Sequence, residues 1–139
     1  MPESSGSLPL PHGPAARLLE SVVGREGGVV RCRARVPVDS PWVSGGRVPA
    51  FVAVEIGAQA TALLDAGDGS AAPRGGVLVG VRDARFSLPS FAAGVEMEVE
   101  ARDAGSAPPL RTCAIVLRSS RGDVLATATV SVYTSDAPR

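Results

Sequence analysis

The chain of 139 residues carries 14 basic and 14 acidic residues and one histidine, and a formally neutral chain with no basic block excludes the electrostatic footprint of a nucleic-acid or anionic-membrane binder. At 14.1 kDa it reads as one domain that buries about two thirds of its unfolded surface, enough for a core without metal or disulfide staples. All the basic residues are Arg, and the abundance of Ala, Gly, Val and Pro reflects a GC-rich genome and says nothing about function.

In chain order, residues 1–8 are Ser/Gly/Pro-rich and read as a flexible N-terminus, with neither the basic flank nor the apolar run of a signal peptide. The domain is expected over residues 9–133, and residues 134–139 as a flexible C-terminus. Val30, Cys32, Ala34 and Val36 alternate with Arg31, Arg33 and Arg35, the pattern of a strand with one buried and one charged face. The segment Phe51 to Leu64 differs from the rest: it is Ala-rich and apolar on nearly every side, preceded by Pro49 and followed by Gly67 and Gly69. Those signals predict a helix over 51–64 that must be buried nearly all round, and its cover must be protein because it is too short to cross a bilayer. Only Glu55, Gln59 and Thr61 interrupt its apolar surface, while Ala58, Ala60 and Ala62 suit close packing.

Gly76 to Phe86 is a further strand candidate. Val95 to Arg102 alternates Val/Met/Ala with Glu96, Glu98, Glu100 and Arg102; Cys113, Ile115 and Leu117, and then Val124 through Val132, give two more. Turn residues at Gly105–Pro109 and Ser119–Asp123 connect neighbours antiparallel, and Arg121-Gly122-Asp123 is read as part of such a turn. If the Arg31 and Glu98 strands are neighbours, opposite charges face each other across the ladder. The predicted architecture is α+β: an antiparallel sheet wrapped around one central helix. Cys32 and Cys113 fall on apolar faces and are expected as free buried thiols, which places the protein in the reducing cytoplasm. No phosphate-binding loop, dinucleotide fingerprint, metal-ligand cluster or serine-nucleophile motif is present in the sequence.

Leu10-Pro11-His12, then Val48-Pro49-Ala50 leading into the helix with Glu55 and Gln59, then Val79–Phe86, Ala93–Glu100 and Gly122–Ala128, together resemble the hotdog-fold 3-hydroxyacyl-ACP dehydratases from about Leu8 to Tyr133. Within that family the chain is most similar to the divergent dehydratase-like proteins of aryl-polyene and polyketide clusters, with which it shares Gly45-Gly46, Val48-Pro49-Ala50 and Glu55. The resemblance implies a single hotdog domain and dehydration of a 3-hydroxyacyl thioester on acyl carrier protein to a trans-2-enoyl thioester, without cofactor or metal. It also implies a homodimer, or a heterodimer with a homologous dehydratase, in which Gly76–Phe86 pairs edge to edge with the equivalent strand of the second subunit.

Glu55 falls where the family carries its helix acid, and Gln59 where a Gln follows. The loop Ser40–Arg47 contains no His, although the common dehydratases use one there as the base that removes the C2 proton. His12, the single imidazole of the chain, is therefore the candidate for that half of the chemistry, since His is the side chain whose pKa suits proton abstraction near neutrality; a purely structural role for it stays open. Gly45 and Gly46 precede the helix and either help polarise a thioester carbonyl or form a plain turn. Trp42 and Phe51 either line an acyl channel or belong to the core. Two rivals accompany the dehydratase reading: a non-catalytic hotdog subunit that stabilises an active partner, and an acyl thioesterase.

Overall fold

A computed structural model describes residues 17–65 and 76–134; residues 1–8, His12, Gly67, Gly69 and 135–139 lie outside the described residues. The chain runs β1 (Leu19–Glu26), β2 (Val29–Ala34), β3 (Arg47–Pro49), α1 (Val52–Ala62), a 3-10 turn (Leu63–Asp65), β4 (Gly76–Phe86), β5 (Ser90–Ala92), β6 (Met97–Asp103), β7 (Leu110–Ser119) and β8 (Val124–Thr134). Six strands form one antiparallel sheet in the order β1-β2-β6-β7-β8-β4, and β3 and β5 pair separately. The sheet curls around α1, as expected of a hotdog domain.

The helix forms where predicted because the segment is rich in Ala and apolar residues and the sheet supplies cover for three sides of it. Nine of its residues are buried, Thr61 among them, and Thr61 satisfies its hydroxyl on the Gly57 carbonyl at 2.8 Å. The closest approach of helix to sheet is at Gly57 rather than at the alanines: a Cβ there would stand 2.8 Å from the Cδ1 and Cγ1 atoms of Ile115 on β7. Pro49 is not the first helical residue; it ends β3, and Phe51 occupies the N-cap without a side-chain cap.

The inner faces of the strands supply the core. Val30, Cys32, Val99, Ile115, Leu117, Val130 and Val132 are all buried against the helix side. Their outward neighbours make the charge ladder expected from the alternation: β2 pairs with β6 so that Arg31 lies opposite Glu100 and Arg33 opposite Glu98. The ion pairs run diagonally, Arg33 to Glu96 at 3.1 Å and Arg31 to Glu98 at 3.9 Å, which is within reach of long side chains on neighbouring pairs. Ser119–Asp123 closes β7 onto β8 as a hairpin through Gly122 N–H to Ser119 O at 2.9 Å and Ser119 N–H to Asp123 O at 2.8 Å.

Three strands are absent from the sequence reading. β1, LESVVGRE, has no period-two pattern because the strand is mostly exposed and its register against β2 slips at two places. β3 and β5 have three residues each, too few for any periodicity. β4 spans Gly76–Phe86 and, among the described residues, pairs only with β8, so it is a sheet edge. Two register irregularities interrupt that pairing, at Leu78/Gly80 and at Arg82/Arg85, and Asp83 takes φ 56° between the second pair. No described helix is long and apolar enough to cross a membrane.

Candidate functional site

Along α1 the residues that are not buried lie four apart: Phe51 at the N-cap, then Glu55, then Gln59. Spacing of four puts them on one line along the helix, so the sheet leaves a single open stripe and Glu55 stands in the middle of it. Glu55 is half-buried and lies in the first turn of the helix.

Gln59, one turn further on, is already engaged. Its Oε1 accepts the Leu18 N–H at 2.9 Å, and the Leu18 carbonyl accepts Arg35 N–H at 3.0 Å. Leu18 is 1% exposed, so the residue that leads into β1 is anchored by its side chain and by both backbone groups. At the other end of the stripe Phe51 meets Trp42 edge-on, with ring centroids 6.1 Å apart and planes at 80°, a favourable aromatic geometry. Trp42 belongs to the loop before β3, so the structure brings Trp42 and Phe51 together at the helix start.

Gly45 and Gly46 lie elsewhere in the chain path. With φ of 61° and 75° they form the two central residues of a tight hairpin, closed by Ser44 N–H to Arg47 O at 2.9 Å and Arg47 N–H to Ser44 O at 3.0 Å. Positive φ at both central positions is the geometry that glycine tolerates at little cost. The whole of β3 then stands between this turn and α1. At the helix start itself, Ala53 N–H bonds the Ala50 carbonyl and Val54 N–H the Phe51 carbonyl.

An open cleft of about 380 Å³ lies beside the same end of the helix, lined by Pro49, Ala50, Phe51, Phe86, Ser87, Leu88 and Pro89. It is held together by Ala50 N–H to Pro89 O at 2.9 Å and Ser87 N–H to Leu125 O at 3.0 Å. Of the sequence candidates only Phe51 lines it. Phe86 and Leu88 were not among them; the signal that points to them is a pair of large apolar residues beside Pro89 at the end of a strand, left 39% and 55% exposed in the fold. The cleft is apolar, and a flexible chain of carbon atoms is the kind of ligand such a wall accommodates.

The edge strand β4 leads to the cleft. Val77, Val79 and Val81 are 55%, 56% and 44% exposed, on a strand whose outer side has no strand partner among the described residues. Among the described residues no group of three His, Cys, Asp or Glu side chains is placed to hold a metal.

The comparisons with known proteins agree with this fold. The family model described as ApeP dehydratase, of the ApeP-like family, matches residues 7–139. Among solved structures, the dehydratase heterocomplex ApeI:P from Xenorhabdus doucetiae matches with TM-score 0.78 at 25% identity, covering 91% of this chain and 88% of that chain. The protein smu.793 from Streptococcus mutans UA159, bound to acetyl CoA, matches with TM-score 0.63 at 16% identity over 88% of this chain and 95% of that one. A hypothetical thioesterase with coenzyme A from Streptococcus pneumoniae TIGR4 matches with TM-score 0.62 at 12% identity, over 83% and 87%. The last two show the fold alone, and no protein with a curated description matches the chain. A sheet curled around a buried helix, with one acid on its open stripe, and a family match over residues 7–139 make this chain a member of the ApeP-like dehydratase family, with the hotdog fold.

Proposed function

We propose that the chain is a 3-hydroxyacyl-ACP dehydratase subunit that forms trans-2-enoyl thioesters and works paired through β4 with a second hotdog subunit. The observation that carries this reading is the position of Glu55, the acid on the one open stripe of an otherwise buried helix. In the elimination, a base takes the proton from C2, the C2–H electrons form the new C2=C3 bond, and the C3–O bond breaks. The departing hydroxyl needs a proton to leave as water. Glu55 supplies that proton in its acid form. The cleft beside Phe51, Phe86 and Leu88 takes the acyl chain, and the setting is the cytoplasm, where acyl carrier protein delivers the substrate.

The base is an imidazole, from His12 of this chain or from a homologous dehydratase. The solved relative is a dehydratase heterocomplex, ApeI:P, and Ser40–Arg47 carries no His; both favour a partner that brings what this chain lacks. The same two observations support a second reading, in which the chain stabilises an active partner without taking part in the chemistry.

An assay with 3-hydroxyacyl-ACP, run on the chain alone and together with a homologous dehydratase from the same genome, tests the proposal. Enoyl product that depends on Glu55 supports it. Activity of the pair that is unchanged in Glu55→Gln establishes the stabilising role instead, and release of free thiol rather than enoyl product establishes a thioesterase.

A further inference from the structure

The open stripe of α1 is not equally open along its length. At its first turn it borders the cleft and exposes Phe51; at its third, the Gln59 amide is bonded to the backbone of Leu18. We propose that Gln59 is a positioning residue, whose amide clamps the segment entering β1 across the far end of the stripe and so fixes one wall of the site around Glu55. The inference rests on the dehydratase reading for its consequence, though not for the clamp itself.

Three observations support it. First, the bond is long-range, joining residues 41 apart in sequence at 2.9 Å, so it ties two elements together that the chain path does not. Second, Leu18 has little freedom left once it is held: its side chain is buried, its carbonyl bonds Arg35 on the far side, and the Arg35 guanidinium is itself fixed by Glu20 Oε2 at 2.8 Å and the Gly94 carbonyl at 2.9 Å. The clamp therefore leads into a rigid corner of the sheet. Third, Gln59 follows Glu55 by one helical turn on the same line, about 6 Å away along the axis. A wall held at that distance is close enough to set the space in which a reacting thioester sits, and small misplacements there are expensive in rate.

A part-buried polar bond of this kind adds little to stability, which a domain can obtain elsewhere. Its position on the acid's own stripe is what gives it a second use.

The test compares Gln59→Met, which removes the acceptor, with Gln59→Glu, which keeps one for the Leu18 N–H. Both are made in the assembly, alone or paired with a homologous dehydratase, that turns over 3-hydroxyacyl-ACP. Hydrogen exchange of the peptide containing Leu18 should speed up about tenfold or more in Gln59→Met and stay protected in Gln59→Glu, with the β6–β7 hairpin unchanged in both. In Gln59→Met kcat should fall about tenfold while KM stays within about twofold, the split expected when orientation rather than binding is lost. Unchanged exchange in Gln59→Met would overturn the clamp. Faster exchange with unchanged kcat would overturn the positioning role and leave a structural bond. A parent assembly without dehydratase activity removes the function reading and the positioning role with it, while the exchange result still decides whether the clamp exists.

Discussion

Glu55, Gly57 and Cys32 each show how one side chain, or its absence, answers to its surroundings. Glu55 is the acid that the sheet leaves partly open, and in the function proposed above it gives the departing hydroxyl its proton, which an amide cannot do. In the active assembly, Glu55→Gln is expected to lower kcat by about a hundredfold or more without changing the assembly's mass. His12→Ala separates the two sources of the base: a comparable loss assigns the imidazole to this chain, and full activity assigns it to the partner.

Gly57 carries the opposite lesson. Alanine would raise helix propensity, yet its Cβ would stand 2.8 Å from the Ile115 side chain, inside a core that cannot give way. Gly57→Ala should therefore lower the unfolding free energy by about 1–3 kcal/mol in a denaturant titration, despite the propensity gain. A variant as stable as the parent would show that α1 can move away from β7.

Cys32 is 0% exposed, and burial pushes its thiol from the ordinary 9.0 up to about 11, against a smaller lowering by Arg25 and with a smaller raising by Glu98. The folded state thus holds its proton more tightly than the unfolded one. The stability this contributes is complete below pH 9 and is lost between about pH 9 and 11, because there the unfolded thiol ionises while the folded thiol does not. Unfolding free energies measured across that window should fall more steeply in the parent than in Cys32→Ala.

At the scale of elements, β4 and the β2–β6 pair are the two contrasting surfaces of the sheet. The β2–β6 ladder closes its own charges: Arg33 meets Glu96, Arg31 meets Glu98, and Arg35 meets both Glu20 and Glu96. That face is satisfied without a partner. β4 is not, since it offers a free edge with Val77, Val79 and Val81 all more than 40% exposed. An edge of that kind is a hazard to a chain that stays alone and a seam for one that does not. The irregularities at Leu78/Gly80 and Arg82/Arg85 twist the edge locally and restrict which strand can pair with it. Val79→Lys should therefore abolish or weaken pairing in analytical ultracentrifugation while leaving the far-ultraviolet dichroism of the chain unchanged. A paired variant with normal affinity would move the seam to another surface.

At the scale of the whole molecule, a charged face that closes its own ion pairs and an apolar edge left open support the proposed pairing with a second subunit. Light scattering at micromolar concentration should find the chain paired, with itself or with a homologous dehydratase, and a stable, soluble monomer would argue against the assembly reading. The cleft at Phe51, Phe86 and Leu88 lies at the end of β4, so loss of pairing is expected to cost substrate affinity as well as mass.

Much of this was legible in the residues before any fold was known. The alternation of Val30–Val36 and Val95–Arg102 announced two half-buried strands, and the Arg and Glu stripes predicted that they were neighbours, because the energetic penalty of like charges leaves few other places for them. The nearly featureless apolar run at 51–64 required a helix buried nearly all round, and a lone carboxylate within it marked Glu55 for attention. Periodicity is a property of a segment, so a segment suffices to reveal it. The rest needed the tertiary structure, because it depends on which parts of the chain meet. Nothing near Gln59 in sequence foretells that Leu18 will sit beside it, nothing near Gly57 foretells Ile115, and Phe86 and Leu88 became a wall only when the end of β4 folded back against the helix start. The hairpin at Gly45-Gly46 was visible as two glycines, yet its separation from the helix by β3 was not, since three residues are too short to declare themselves a strand until β5 arrives to pair with them.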